Sequence, residues 1–242
     1  TAIVDENTSK DAITLMADDV DGGKLTYSIS GSDASDFTLD ADSGIVIFND
    51  LPDYESAKKQ YKFKATVTDD GGSIDTQDVT ITINNINDNT PIFTNDDTAT
   101  VDEEQTDAIT LTASDIDNKD VVIDTFTFSI AGSDASKFIM NSSSGVVKFK
   151  DSEKPDYESG KITYSFKATV SDGTYSSTQD VVINIANTDD NAPVFTSKDT
   201  ATVDENTSND AITLKADDAD GGKLTYSISG SDASDFSVDA DL

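Results

Sequence analysis

Acidic side chains recur along this chain in a fixed order and at matching offsets. A glutamate is followed by an Asp-x-Asp triplet, then by an Asp-Tyr-Glu triplet, and then by a single aspartate. These positions are Glu6, Glu103 and Glu205; Asp19 with Asp21, Asp115 with Asp117, and Asp218 with Asp220; Asp53 with Glu55, and Asp156 with Glu158; and Asp69 and Asp172. Carboxylates grouped in this way suit calcium, a hard cation that takes about six to eight oxygen ligands.

Two polar connectors supply further oxygen atoms of the same kind. They read Asn-Ile-Asn-Asp-Asn-Thr-Pro over residues 85–91 and Asn-Thr-Asp-Asp-Asn-Ala-Pro over residues 187–193. The chain has no histidine and no cysteine, which disfavours zinc and copper relative to a hard cation. The sequence therefore predicts Ca2+ as the bound cofactor.

The charge of the chain limits its partners. It carries 48 acidic residues against 16 basic ones, a formal net charge of −32 over 242 residues. Such a charge opposes binding to nucleic acid and to anionic membranes, and it destabilises a compact state unless cations neutralise part of it. No apolar run approaches the roughly 18 residues of a membrane span. We therefore expect no nucleic-acid partner and no direct membrane insertion by this segment.

Internal repetition predicts the organisation of the chain. Val-Asp-Glu begins at residues 4, 101 and 203, at spacings of 97 and 102 residues. Residues 1–41 and 200–240 are nearly identical. The pattern predicts two full repeats, over residues 1–90 and 91–192, and a truncated third repeat over residues 193–242 that holds only the first four strands.

Each repeat has the periodicity of strands rather than of helices. Tyr61, Phe63, Ala65 and Val67 alternate with polar residues, which indicates one buried and one solvated face. Clusters of Asp, Gly and Ser between such segments favour turns. About seven short strands in roughly 100 residues predict an all-β chain of immunoglobulin-like sandwiches. The expected core of the first repeat comprises Ile13, Leu15, Tyr27, Ile29, Phe37, Phe63, Val67 and Ile81.

Together these motifs resemble the cadherin repeat. That family's pattern runs from x-E-x through D-x-D, D-R-E or D-Y-E, and D-x-G to a D-x-N-D-N connector that leads into A-P-x-F. Here the connectors continue as Pro91-Ile92-Phe93 and Pro193-Val194-Phe195. The resemblance covers essentially the whole chain. The repeats of this chain are near-identical copies with few aromatic residues, which is more typical of a bacterial cadherin-like array than of an animal adhesion receptor. The resemblance implies tandem Greek-key β-sandwiches arranged end to end, with calcium bound between consecutive repeats.

The resemblance also implies which residues bind calcium at two junctions. The first junction takes Glu6, Asp53, Glu55, Asn85, the carbonyl of Ile86, Asn87, Asp88 and the carbonyl of Asn89, together with Asp115, Asp117 and Asp172. The second takes Glu103, Asp156, Glu158, Asn187, the carbonyl of Thr188, Asp189, Asp190 and Asn191, together with Asp218 and Asp220. Asp19, Asp21 and Asp69 form a half-site that would face a preceding repeat.

Three positions depart from the family pattern. Both connectors begin with asparagine, Asn85 and Asn187, where the family usually has aspartate, and Asp189 stands where the family has asparagine. We expect the missing carboxylate to weaken the middle ion of each junction, and we expect the two junctions to be unequal. Their affinities should lie in the weak extracellular range, ~10⁻⁴–10⁻³ M. The loop after Asp117 carries the additional residues Asp120 and Asp124.

These features favour a calcium-dependent rigid rod or adhesion segment of a large cell-surface or secreted protein. The expected location is extracellular or at the cell surface. The expected partners are further repeats of the same array, with homophilic protein contacts or surface polysaccharide as candidates for adhesion. The alternative is a carbohydrate-binding module array, for which the candidate aromatic residues are Tyr54, Tyr157 and Tyr175. Two of these, Tyr54 and Tyr157, are also the middle residues of calcium motifs.

Catalysis and simple solubility account less well for the acidic residues. Without histidine or cysteine, Ser-His and Cys-His nucleophile systems cannot be built. The paired carboxylates that could cleave a glycoside fall in the metal motifs, so we expect no enzyme and no catalytic residues. Acidic loops that only keep the chain soluble would explain Asp33, Asp36, Asp75 and Asp78, which we expect to be solvated. They do not explain motifs that recur at matching offsets.

Overall fold

The computed structural model describes residues 1–119, 122–123, 125–206 and 210–238 of the chain. The chain forms two compact units. The first comprises Thr1–Thr94, Thr112–Thr127 and Val170–Ser177, and the second comprises Asn95–Leu111, Phe128–Thr169 and Thr178–Leu242. Within the described residues, every regular element is a strand or a single turn of 3-10 helix. The all-β prediction is therefore confirmed. No described helix is long and apolar enough to cross a bilayer.

Seven strands build a two-sheet sandwich in the first unit. They are β1 (Ala2–Asp5), β2 (Asp11–Thr14), β3 (Thr26–Ser30), β4 (Phe37–Leu39), β5 (Ile45–Phe48), β6 (Gln60–Thr68) and β7 (Ile74–Asn84). One sheet has the strand order β1-β7-β6-β3 and the other β2-β5-β4. β1 pairs with β7 in parallel, and the other neighbours are antiparallel. A 3-10 turn, Ala34–Asp36, precedes β4.

The two sheets enclose the apolar core that the strand pattern predicts. Of the expected members, Leu15, Phe37, Phe63 and Ile81 are buried, whereas Ile13, Tyr27, Ile29 and Val67 are half-buried. The ring centroid of Phe37 lies 4.8 Å from that of Phe48 and 5.1 Å from that of Phe63. The period-two alternation therefore identified the buried face, and the three rings join one sheet to the other.

A second sandwich repeats this plan. The strands are β8 (Ile92–Phe93), β9 (Thr98–Asp102), β10 (Asp107–Thr110), β11 (Ala113–Ser114), β12 (Thr127–Ala131), β13 (Phe138–Met140), β14 (Val146–Phe149), β15 (Thr163–Ser171) and β16 (Ser176–Ala186), with 3-10 turns at Ala135–Lys137, Asp151–Glu153 and Tyr157–Ser159. Its sheets have the orders β12-β15-β16-β9 and β10-β14-β13, and β8 pairs with β11. β16 and β9 are parallel, as β7 and β1 are. The ends of β15 and β16 that lie in Val170–Ser177 belong to the first unit.

Residues 193–206 and 210–238 form little regular structure. Their strands are β17 (Val194–Phe195) and β18 (Ala216–Asp217), which pair with each other, and a 3-10 turn follows at Ala233–Asp235. Four strands are expected there, but this two-residue pair is all that the described residues form. In the first sandwich, β1 to β4 pair with β5, β6 or β7, and residues 193–242 contain no counterparts of those three strands. Accordingly Phe236 is 57% exposed, whereas its counterpart Phe37 is 6% exposed.

Asp33 has a structural role rather than the solvated position expected of it. Its Oδ1 accepts a hydrogen bond from Lys58 Nζ at 2.8 Å, and its Oδ2 accepts one from the backbone N–H of Lys62 at 2.7 Å. The Lys58 ammonium group also lies 4.4 Å from the ring centroid of Tyr61. These two donors lower the pKa of Asp33 below its ordinary value. The second sandwich repeats the arrangement with Asp134, Lys161 and Ser165.

We expect Asp33→Asn to destabilise the first sandwich by about 1 kcal/mol at neutral pH, because a charge-assisted hydrogen bond and an ion pair are lost. The pKa of Asp33 is lower in the folded chain than in the unfolded chain. The ionised Asp33 therefore contributes its full stabilisation at any pH above its pKa in the unfolded chain. That contribution is lost as the pH falls through its pKa in the folded chain. The difference from the wild type should therefore shrink below about pH 4. Urea unfolding at a series of pH values measures it. Asp78→Asn is the control, because the Asp78 side chain is 85% exposed; an equal loss in both variants would contradict the assignment.

The scarcity of sheet structure after residue 193 predicts fast amide hydrogen exchange there. Amides in residues 210–238 should exchange several orders of magnitude faster than their counterparts in residues 11–39, because most of them lack a ladder hydrogen bond. Exchange followed by mass spectrometry on the intact chain provides the measurement. The two segments are nearly identical in sequence, so intrinsic exchange rates cancel. Equal protection of both would contradict this prediction.

Candidate metal centres

Each sandwich buries one glutamate carboxylate just beyond the end of a strand. Glu6 follows β1 and is 0% exposed, and Glu103 follows β9 and is 2% exposed. Glu103 accepts the backbone N–H of Tyr157 at 2.7 Å and that of Thr188 at 2.8 Å, one on each carboxylate oxygen. Glu6 makes the equivalent contacts with the N–H groups of Tyr54 and Ile86. In both places a carboxylate therefore ties the Asp-Tyr-Glu turn to the connector.

The second aspartate of each Asp-x-Asp triplet binds the same connector from the other side. Asp117 Oδ2 accepts the backbone N–H groups of Asp88 at 3.2 Å and Asn89 at 2.9 Å, and its Oδ1 accepts Asn89 Nδ2 at 2.7 Å. Asp220 repeats these contacts with Asp190 and Asn191, at 2.8, 2.6 and 2.9 Å. Each connector is thus held between two carboxylates, and its own aspartate is brought close to that of the Asp-x-Asp triplet.

The asparagines that begin the connectors act as donors. Asn85 Nδ2 donates to the carbonyl of Asp117 at 2.7 Å, and Asn187 Nδ2 donates to the carbonyl of Asp220 at 2.8 Å. An aspartate in either position could not donate this bond. The departure from the family pattern therefore exchanges a carboxylate for a contact that joins the connector to the Asp-x-Asp triplet.

Oxygen atoms of the acidic residues gather into groups in which the atoms lie within 4.8 Å of one another. Glu55 belongs to two of these groups, one with Glu6 and Asp53 and one with Asp88 and Asp117. We call these five residues the first cluster. The second cluster consists of Glu103, Glu158, Asp190 and Asp220. Each cluster lies within one compact unit, the first cluster in the first unit and the second in the second.

Burial, with the charge of neighbouring carboxylates, disfavours ionisation of three members of the clusters. Burial, followed by the neighbouring Glu6, raises the pKa of Glu55 to about 7. Burial likewise raises the pKa of Glu158. Burial, followed by the charges of Glu103 and Asp220, raises the pKa of Asp190. A bound divalent cation would reverse this effect, because it favours the charged form of each carboxylate that it contacts.

Some buried oxygen atoms of the predicted first junction lack hydrogen-bond donors. Among the residues that the structure describes, these are Glu55 Oε1 in the first cluster, Asn85 Oδ1 on its connector and Asp172 Oδ2, which lies in the same compact unit. A buried acceptor without a partner costs about 1–3 kcal/mol, and a bound cation would offset that cost. The donor set is entirely oxygen, from carboxylates and an amide, which is the chemistry that calcium selects. The residues present therefore fit a calcium ion.

Several predicted ligands lie outside both clusters. Asp115 and Asp172 are buried, at 8% and 7% exposed, and Asn87 Oδ1 is also buried. Asp156 accepts the N–H of Ser159 at 3.1 Å, and Asp189 is exposed. The carbonyls of Ile86, Asn89 and Thr188 lie on the connectors that the clusters hold. Asp120 and Asp124 fall outside the described residues.

The Asp-x-Asp triplets share a local turn wherever they occur. The first aspartate accepts the N–H of the second at 3.1 Å in Asp19–Asp21, Asp115–Asp117 and Asp218–Asp220. Only the surroundings differ: Asp117 is 1% exposed, whereas Asp21 is exposed. Asp19, Asp21 and Asp69 join no cluster among the described residues, and their assignment to a half-site stays a prediction.

Sequence reasoning missed one residue that contacts the first cluster. Asn7 Nδ2 donates to Asp88 Oδ2 at 2.8 Å. Asn7 has a φ of 51°, a left-handed conformation in which asparagine is enriched. Its position directly after the buried Glu6 is the signal that could have identified it. The side chains of Asn89 and Asn191 also contact Asp88 and Asp190, both at 2.8 Å, although the sequence predicted only a carbonyl ligand for Asn89.

No protein-family model matches the chain. It is nevertheless 33% identical to human Protocadherin Fat 1 over 184 residues, which is 71% of this chain and 4% of that protein. It is 28% identical to human Protocadherin-23 over 241 residues, 94% of this chain and 7% of that protein. The chain thus spans less than a tenth of the length of either relative.

The fold gives the same result as the sequence. The crystal structure of mouse Cadherin-23 EC22-24 matches with a TM-score of 0.66 and 27% identity, over 99% of this chain and 82% of that one. The relatives are cadherins, a class of extracellular, cell-surface proteins that are not enzymes, in agreement with the predicted location and the absence of catalysis. The repeated acidic motifs, the tandem sandwiches and these similarities have one common cause. The chain belongs to the cadherin-repeat family.

Proposed function

We propose that this chain is a calcium-stiffened segment of an extracellular adhesive or spacer array, with calcium bound where consecutive repeats meet. The observation that carries the proposal is that acidic oxygen atoms gather in two clusters. At the first, Glu55 Oε1 and Asn85 Oδ1 are buried and have no hydrogen-bond donor among the described residues. Bound calcium would supply positive charge and several coordination positions at once. The repeat boundaries that we propose are residues 1–90, 91–192 and 193–242.

The residues act by holding one connector from two directions. Glu6 and Glu55 approach it from the sandwich that precedes the connector, and Asp117 approaches it from the Asp-x-Asp triplet that follows. Calcium shared among these carboxylates would oppose bending of the connector, because bending would pull ligands away from the ion. The predicted carbonyl and amide ligands of the connector, with Asp115 and Asp172, would complete the coordination.

The partners that we propose are further repeats of the same array, with homophilic contacts between copies. Cadherins are the relatives found for most of the chain, which gives the carbohydrate-binding alternative no support. Tyr54 was one of the aromatic candidates for a carbohydrate site. Its ring packs against the apolar core, and Lys59 Nζ lies 3.6 Å from the ring centroid. That ring is therefore used inside the repeat.

Calcium should stabilise and extend the chain. With an affinity near ~10⁻³ M or tighter, about 10 mM calcium adds at least 1.4 kcal/mol for each site. The melting temperature should therefore rise by about 5 °C or more.

Small-angle scattering should show a larger maximum dimension with calcium than with chelator, while the far-ultraviolet circular dichroism changes little. Magnesium at the same concentration is the control, because it needs shorter, more regular octahedral coordination. Identical scattering with calcium and with chelator would refute the rod.

Removing acidic ligands should loosen one junction at a time. The double variant Asp88→Ala with Glu55→Ala should lower the calcium affinity of the first cluster by at least tenfold, because two carboxylate ligands are lost. The matched variant is Asp190→Ala with Glu158→Ala, which should affect only the second cluster. Nuclear magnetic resonance titrations that follow the amides of residues 86–89 and 188–191 report on the two sites separately. An equal effect of either double variant on both sites would contradict independent junctions.

A further inference from the structure

The two clusters differ at one position that the family ligand set does not include. The residue after the buried glutamate is Asn7 in the first sandwich and Glu104 in the second. The backbone is the same in both places: φ is 51° at Asn7 and 56° at Glu104. Each N–H donates to a proline carbonyl at 2.9 Å, that of Pro52 or Pro155. The side chains therefore leave equivalent points of the fold, and only their chemistry differs.

The first cluster has a neutral donor at this point. Asn7 Nδ2 donates to Asp88 Oδ2 at 2.8 Å, while Asn89 Nδ2 donates to Asp88 Oδ1 at 2.8 Å. Both oxygens of the connector aspartate thus accept an amide hydrogen bond. This arrangement holds the Asp88 carboxylate in one orientation and partly offsets its charge.

The second cluster has a carboxylate at the same point. Asp190 Oδ1 accepts Asn191 Nδ2 at 2.8 Å, as in the first cluster. Glu104 has no amide hydrogen to donate, and its exposed carboxylate side chain starts from the backbone position equivalent to that of Asn7. Glu104 therefore adds negative charge to a group that already contains four carboxylates.

We propose that the residue after the buried glutamate sets the calcium affinity of its junction, through a positioning amide at Asn7 and through an additional charge at Glu104. The inference rests on the proposed function, since it concerns how strongly calcium binds at the two clusters. A positioning amide orders a ligand before binding and acts at short range, so salt affects it little. An additional charge attracts the cation over a distance, and salt screens that attraction. The two junctions should consequently respond differently to ionic strength.

The test uses two single substitutions in the full chain. Glu104→Gly removes the charge without supplying an amide, and glycine readily keeps the left-handed backbone at this position. It should weaken calcium binding at the second junction by about three- to tenfold at low salt, and by less at 0.5 M salt. Asn7→Gly removes the amide and keeps the left-handed backbone, which glycine adopts readily. It should weaken the first junction by about two- to fivefold at both salt concentrations.

Calcium titrations of isotope-labelled protein, read at the amides of residues 86–89 and 188–191, measure the two affinities in one sample. The junction that is not substituted is the internal control in each variant, and unfolding without calcium shows whether a variant is folded. Wild-type amides that do not respond to calcium would refute the proposed function itself. Wild-type binding that neither substitution changes, or that both change equally at both junctions, would overturn this inference alone.

Discussion

The arrangement of this chain depends on a buried carboxylate that joins three distant segments. Glu103 contacts backbone N–H groups that lie 54 and 85 residues further along the chain. Glu6 does the same in the first sandwich. A carboxylate buried this deeply must have its hydrogen bonds satisfied, so the Asp-Tyr-Glu turn and the connector must both approach it. Once they do, the acidic residues that they carry are forced together.

This crowding accounts for the polar residues around the clusters. Neutral amides at Asn7 and Asn89 donate to the carboxylate of Asp88, so they reduce repulsion without adding opposite charge, and Asn85 donates to the backbone carbonyl of Asp117. The lysines contact acidic residues elsewhere, as at Asp33 and Asp134. A chain with a net charge of −32 thus uses several of its lysines in ion pairs within the sandwiches. At the clusters it relies on amides, on backbone N–H groups and, in our proposal, on calcium.

The first and third repeats separate local from long-range determinants. Residues 1–41 and 200–240 are nearly identical, and both form the same local features, such as the 3-10 turns Ala34–Asp36 and Ala233–Asp235. The sheets differ because a strand needs hydrogen-bonding partners, and those of β1 to β4 come from β5, β6 and β7. An alternating pattern therefore predicted where strands could form, and the partner strands decided whether they did. The lysine contacts of Asp33 were missed for the same reason, since Lys58 and Lys62 lie on a later part of the chain.

The sequence by itself determined the all-β class, the repetition, the buried faces of the strands and the acidic positions, because these follow from local periodicity and from motifs that recur at matching offsets. It also determined the Asp-x-Asp turn, whose hydrogen bond joins residues two apart. Only the tertiary structure decided which carboxylates meet. Asp21 and Asp117 have the same local turn, yet only Asp117 is buried against a connector. The physical reason is that a cluster of like charges is assembled by contacts between segments far apart in the chain, and a local pattern does not encode the distance between them.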